Sequence, residues 1–196
     1  MRPLYLAGWG YVAIAAAVIY RVEHPLVEAV AVYEPTSAQA APGGSSAHQW
    51  FAAVKPRCNA LEIELTMTRS PAPGGWEGAG FAAACYALAG KTTRAAQLID
   101  ALPDGERSRA AGVVFDVGHP VADAGDDESA GPIMELVLRY WPDHYMALYH
   151  AGIAEYRTGQ RELAIKNLEA FLRHYHEDDG WTGSAEAVLK ELRGGR

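Results

Sequence analysis

"YMALYHAGIAEYRTGQRELAIKNLEAFLRHY", residues 145–175, decides how the rest of the chain is read. The run is rich in helix formers, yet Gly152 and Gly159 stand inside it and the small Ala164 follows. A glycine in a helix interior costs up to about 1 kcal/mol relative to alanine, so each glycine must admit a close neighbour or break the helix. Gly152 suits the first use and Gly159 the second, with Ala164 fitting beneath a returning helix. The stretch therefore reads as helix, turn, helix.

The same intervals recur upstream. Gly152, Gly159 and Ala164 are preceded by Gly118, Gly125 and Ala130, and those by Ala83, Gly90 and Ala95, so the copies stand 34 and 35 residues apart. A fixed period of this size marks a repeat architecture, and it takes precedence over any other reading of the fold.

The period and its small residues resemble the tetratricopeptide repeat, whose units are two antiparallel helices of 34 residues in all. Three units follow, at about residues 76–109, 110–144 and 145–178, with Tyr86 as the first unit's aromatic and Pro142 closing the second. "WTGSAEAVLKELR", Trp181 to Arg193, is similar to the solvating cap helix such stacks require, within a terminal segment 179–196. In the second unit Gly112, Gly118, His119 and Pro120 fall where its first helix should run, and the expectation is a shortened or broken helix.

Met146, Tyr149, Ile153 and Tyr156 fall at helical spacing along one stripe, with Leu148, Ala151, Gly152 and Glu155 on the other side. The resemblance implies that the stripe, extended by Arg157, lines a protein-binding groove, and that the small side closes on Ile165, Leu168, Leu172 and Tyr175. A stripe of Met and Tyr suits peptide recognition, and it equally suits packing against the preceding unit.

The amino-terminal part has a different character. After Arg2, Pro3 to Tyr20 carries no charge across 18 residues. As a helix it spans about 27 Å, close to a hydrocarbon core of roughly 30 Å. Residues 1–21 read as a transmembrane anchor, retained rather than cleaved, because the apolar run exceeds a usual signal core and the nearest small-residue site, Ala38 to Ala40, lies too far downstream. Gly10, Ala13 and Ala17 form a small-residue face for another membrane helix. Residues 22–45 read as a juxtamembrane segment and a Gly/Ser/Pro-containing linker, and 46–75 as a helical segment that starts at Ser46 and is interrupted by Pro56.

The formal charge of −7 leaves no basic footprint, which argues against a nucleic acid partner. Neither CxxC nor HExxH occurs, and no phosphate-cradling glycine loop or nucleophile elbow appears, so neither an enzyme nor a cofactor or metal site is expected. Asp126 to Glu128 in "ADAGDDESAG" lack calcium-loop spacing and suit the start of a helix, while His174 and His176 suit a solvated helix end. Cys58 and Cys85 are either a disulfide, which an extracytoplasmic location permits, or two small buried thiols, the slightly favoured reading.

The expected molecule is an all-α protein: a transmembrane helix followed by a short solenoid of helical hairpins. Its expected function is that of a non-catalytic scaffold in the bacterial inner membrane. Residues 3–20 contact the lipid bilayer, the carboxy-terminal domain faces the periplasm, and the partners are other protein subunits of a membrane complex, for example an energy-transducing respiratory or photosynthetic assembly. The alternative is a periplasmic peptide-binding or assembly factor that engages client proteins transiently.

Overall fold

Glycine and alanine set the architecture. A computed structural model describes residues 46–194, which fall within the compact unit 41–196. The anchor, the linker and the packing face of Gly10, Ala13 and Ala17 lie outside the described residues. Among the described residues all regular elements are helices, and none is long and apolar enough to cross a membrane.

Three consecutive hairpins form the body. The first pairs α3 (Gly75–Leu88) with α4 (Thr92–Asp100), the second α5 (Asp104–Asp123) with α6 (Asp127–Tyr140), and the third α7 (Tyr145–Arg157) with α8 (Arg161–His174). They are preceded by α1 (Ser46–Val54), a 3-10 turn (Lys55–Arg57) and α2 (Ile63–Arg69), and followed by α9 (Gly180–Gly194). Pro56 splits the first segment as its ring chemistry requires, and Asn59 restarts the chain by accepting from the Leu61 and Glu62 amides, each at 3.1 Å.

The three hairpin turns are built alike. Gly90, Gly125 and Gly159 adopt φ of +73°, +78° and +79°, a region that costs glycine nothing. Each glycine N–H reaches a carbonyl three residues back, and the next N–H reaches one five residues back: Lys91 to Tyr86, Asp126 to Val121, Gln160 to Glu155. This is the Schellman arrangement, which satisfies helix-end carbonyls and reverses the chain.

The other two small positions work at the seam. A Cβ on Gly152 would stand 2.7 Å from Leu168 Cγ, and one on Gly118 would stand 2.6 Å from Ile133 Cγ2. Ala83 is fully buried, as are Ala95 and Ala164, and Ala130 is nearly so. In the third hairpin, Glu155 meets Asn167, Gly152 meets Leu168 and Tyr149 meets Phe171, an order that fixes the two helices as antiparallel.

The second hairpin corrects the sequence expectation. Its first helix is neither shortened nor broken: α5 runs 20 residues from Asp104 and contains Pro120. An internal proline costs about 3 kcal/mol and each interior glycine about 1. Burial of Ala110, Ala111, Val114, Phe115 and Ala122 offsets that cost, at roughly 1.5–3 kcal/mol for each large apolar side chain. Pro120 is exposed, and so is Asp116, whose carbonyl loses the amide that another residue at 120 would offer. Pro132 in α6 is exposed in the same way, and α6 also runs through it.

Neighbouring hairpins are tied by apolar packing and polar clasps. Tyr140 on α6 donates to the Ala96 carbonyl at 3.0 Å and to Asp100 at 2.9 Å, and Arg139 pairs with Asp100 at 2.8 Å. At the amino-terminal end, Phe51 of α1 stacks on Phe81 of α3 at 4.8 Å, and a disulfide joins Cys58 to Cys85 across a Cα separation of 4.8 Å. The structure thus takes the first of the two cysteine readings. At the other end α9 buries Ala185 and Leu189 against the third hairpin.

Candidate functional site

The stripe on α7 divides. Tyr149 is 7% exposed and sits edge-on to Phe171 at 5.2 Å and Trp181 at 4.9 Å, with its hydroxyl donating to Ser184 Oγ at 3.0 Å. Ile153 belongs to the same cluster. The Glu191 carboxylate on α9 raises the Tyr156 phenol above its usual pKa. Arg157 forms an ion pair with Asp127 at the start of α6. Tyr149 is therefore covered by the domain's own residues, while the Arg157 side chain stays 56% exposed. The apolar face of α9 needs cover, and α8 together with the Tyr149 side of α7 supplies it.

Met146 alone of the stripe borders a recess. About 390 Å³ in volume, it lies between α5 and the α6–α7 connection and is lined by Phe115, Asp116, Trp141, Asp143, Tyr145 and Met146. Trp141 and Tyr145 remain 39% and 43% exposed. Gly112 forms part of the floor, where a Cβ would meet the Trp141 ring at 3.5 Å. His144 holds the rim: its Nδ1 accepts from the Ala147 amide at 3.3 Å, capping α7, and its ring packs on Phe115 at 4.1 Å and Trp141 at 4.6 Å. Burial holds the His144 pKa below its ordinary value, which favours the neutral ring an acceptor requires. Aromatic walls with two carboxylates make a surface suited to a cationic peptide segment.

Behind this recess the ring stack continues inward. Phe115 stacks on His119 at 4.8 Å, and His119 meets His150 at 4.8 Å between ring centroids. His119 and Asp123 sit one turn apart near the end of α5, and His150 projects from the middle of α7. Asp123 Oδ1 lies 3.4 Å from His119 Nε2 and 3.8 Å from His150 Nε2. Both Nε2 atoms are buried without a hydrogen-bond partner. Burial pushes the His150 pKa down to about 4, reinforced by His119 and opposed by Asp123 and Asp127, so its ring is neutral at pH 7.

Sequence reading missed this cluster. The four-residue step from His119 to Asp123 was visible, but His150 comes from another hairpin, and only the packing of α5 beside α7 brings it in. Asp126, by contrast, does what its position suggested and caps α6, accepting from the Ser129 amide at 3.1 Å.

No protein-family model matches the chain, and neither the curated proteins nor the solved structures include a match.

Proposed function

We propose that the chain is a non-catalytic scaffold of tetratricopeptide-like hairpins, anchored through residues 3–20, that holds another protein subunit at the periplasmic face of a bacterial inner membrane. The observation that carries this reading is the threefold reuse of one hairpin turn at the same spacing, with glycine seams in the second and third hairpins. Each such unit leaves an apolar face that only a neighbour can cover, and stacked units serve chiefly to present surface.

The aromatic recess at Trp141 and Tyr145 is the surface this reading assigns to the partner. Its two aspartates favour a segment carrying lysine or arginine beside an apolar residue. The Cys58–Cys85 disulfide supports the periplasmic placement, since such bonds persist in oxidising compartments.

The test is purification of the tagged full chain in mild detergent with quantitative mass spectrometry. A partner in stoichiometric amount is expected from the native chain. Its loss is expected from a Trp141→Ala, Tyr145→Ala variant that melts as the native chain does. Substoichiometric clients would turn the reading toward a transient assembly factor, and a partner indifferent to both substitutions would remove the recess from the account.

A further inference from the structure

We propose that His119, Asp123 and His150 form a binding site for a divalent transition-metal cation, of which zinc is the best match, at the seam between the second and third hairpins. The three donor atoms lie within 4.8 Å of one another. Two imidazoles and one carboxylate make the three-ligand set of open zinc sites, in which water takes the fourth place.

The geometry is close to what the ion requires. Bonds of about 2.1 Å in a tetrahedral shell place ligand atoms about 3.4 Å apart. Asp123 Oδ1 already stands at 3.4 Å and 3.8 Å from the two nitrogens. The widest separation is closed by a swing of the His119 ring, the more exposed of the two imidazoles, with side-chain exposures of 29% for His119 against 7% for His150. Asp123, with a half-exposed side chain, opens the site to solvent and gives the ion an entry path and a water ligand.

A second observation points the same way. His150 is 6% exposed, and its Nε2, like that of His119, has no hydrogen-bond partner. A buried polar atom left unpaired is costly, and native folds seldom keep two side by side. His119 Nε2 stands 3.4 Å from the Asp123 carboxylate, yet neither ring nitrogen makes a hydrogen bond to it. A cation satisfies both nitrogens together. Phe115 against His119, and Trp181 at 5.7 Å from His150, supply the apolar shell that holds ligating rings in place. The bound ion would clip the end of α5 to the middle of α7, fixing two hairpins relative to each other. This site stands independently of any protein partner at the recess.

The experiment uses the full chain in detergent, stripped with chelator and titrated with zinc chloride, followed by cobalt(II) chloride as a spectroscopic probe. Saturable binding of one ion is expected, with a rise in Tm of about 5 °C or more once zinc exceeds its Kd a hundredfold, and with visible d–d bands from cobalt. Asp123→Asn and His119→Ala should each weaken binding by at least about tenfold while the circular dichroism of the metal-free chain stays native. A His174→Ala, His176→Ala chain should bind as the native one does. Absence of saturable binding up to millimolar zinc, or binding lost in the His174/His176 variant and kept in the other two, would overturn the proposal.

Discussion

At pH 8, replacing Glu155 with glutamine should make the protein more stable. Glu155 is 2% exposed in the seam between α7 and α8, where its two oxygens share the single amide of Asn167, at 2.8 and 2.9 Å. A carboxylate has room for about four donors, so one shared NH2 leaves it poorly compensated. Burial pushes its pKa up to about 7; Asn167 and Lys166 pull it down and Glu135 pushes it further up. The folded value thus lies above the unfolded one, 4.5. Between those values the folded chain binds the extra proton, so the stability Glu155 contributes is whole below about pH 4.5 and is lost as pH rises through 7. A shift of that size is worth about 3 kcal/mol. Glutamine keeps the shape and an acceptor for Asn167 without the charge. Denaturant unfolding of both chains from pH 4.5 to 8 should show a gap that starts near zero and widens toward about 3 kcal/mol in favour of Glu155→Gln. Titrating groups that do not interact with position 155 cancel in that difference, whereas Glu135 and Lys166 do interact with it. A gap that does not change with pH, or a glutamine variant less stable at pH 8, would falsify the argument that burial dominates at this carboxylate.

Three further substitutions probe the frame. Gly152→Ala forces a methyl into Leu168 and should cost about 1–3 kcal/mol, read as a lower Tm; an unchanged Tm would show that the seam has slack. Cys58→Ser opens a loop with a sequence separation of 27 and should cost about 3 kcal/mol, with peptide mapping under non-reducing conditions locating the bond in the native chain. Asp126→Ala removes the cap of α6 and should cost about 1 kcal/mol in chemical unfolding, with the helical circular dichroism otherwise retained.

The hairpins were legible in sequence because their determinants are local. A glycine that must take positive φ, and a small residue under a returning helix, repeat at intervals that survive divergence elsewhere in the unit. The length of α5 was not legible, because the cost of Pro120 is local whereas the burial of Val114 and Phe115 depends on neighbours contributed by other hairpins. The burial of Tyr149 on α7 was hidden for a related reason. Both sides of that helix are apolar, and the choice of which one α9 covers is made by packing. Likewise the ring pair His119 and His150 exists only once α5 and α7 lie side by side, so periodicity within either helix carried no trace of it. The cysteines were ambiguous until α1 and α2 folded back onto α3.

The two closures of the hairpin row have one more effect. Stacked hairpins expose edges that accept another hairpin, and a row with both edges bare can add copies of itself head to tail without limit. Here Phe51 and the Cys58–Cys85 bond join a preceding segment to one edge, while Ala185 and Leu189 of α9 pack on the other. Each end of the row thus carries a helix of its own chain where a further hairpin would otherwise stack, and Trp141 and Tyr145 stay exposed between them.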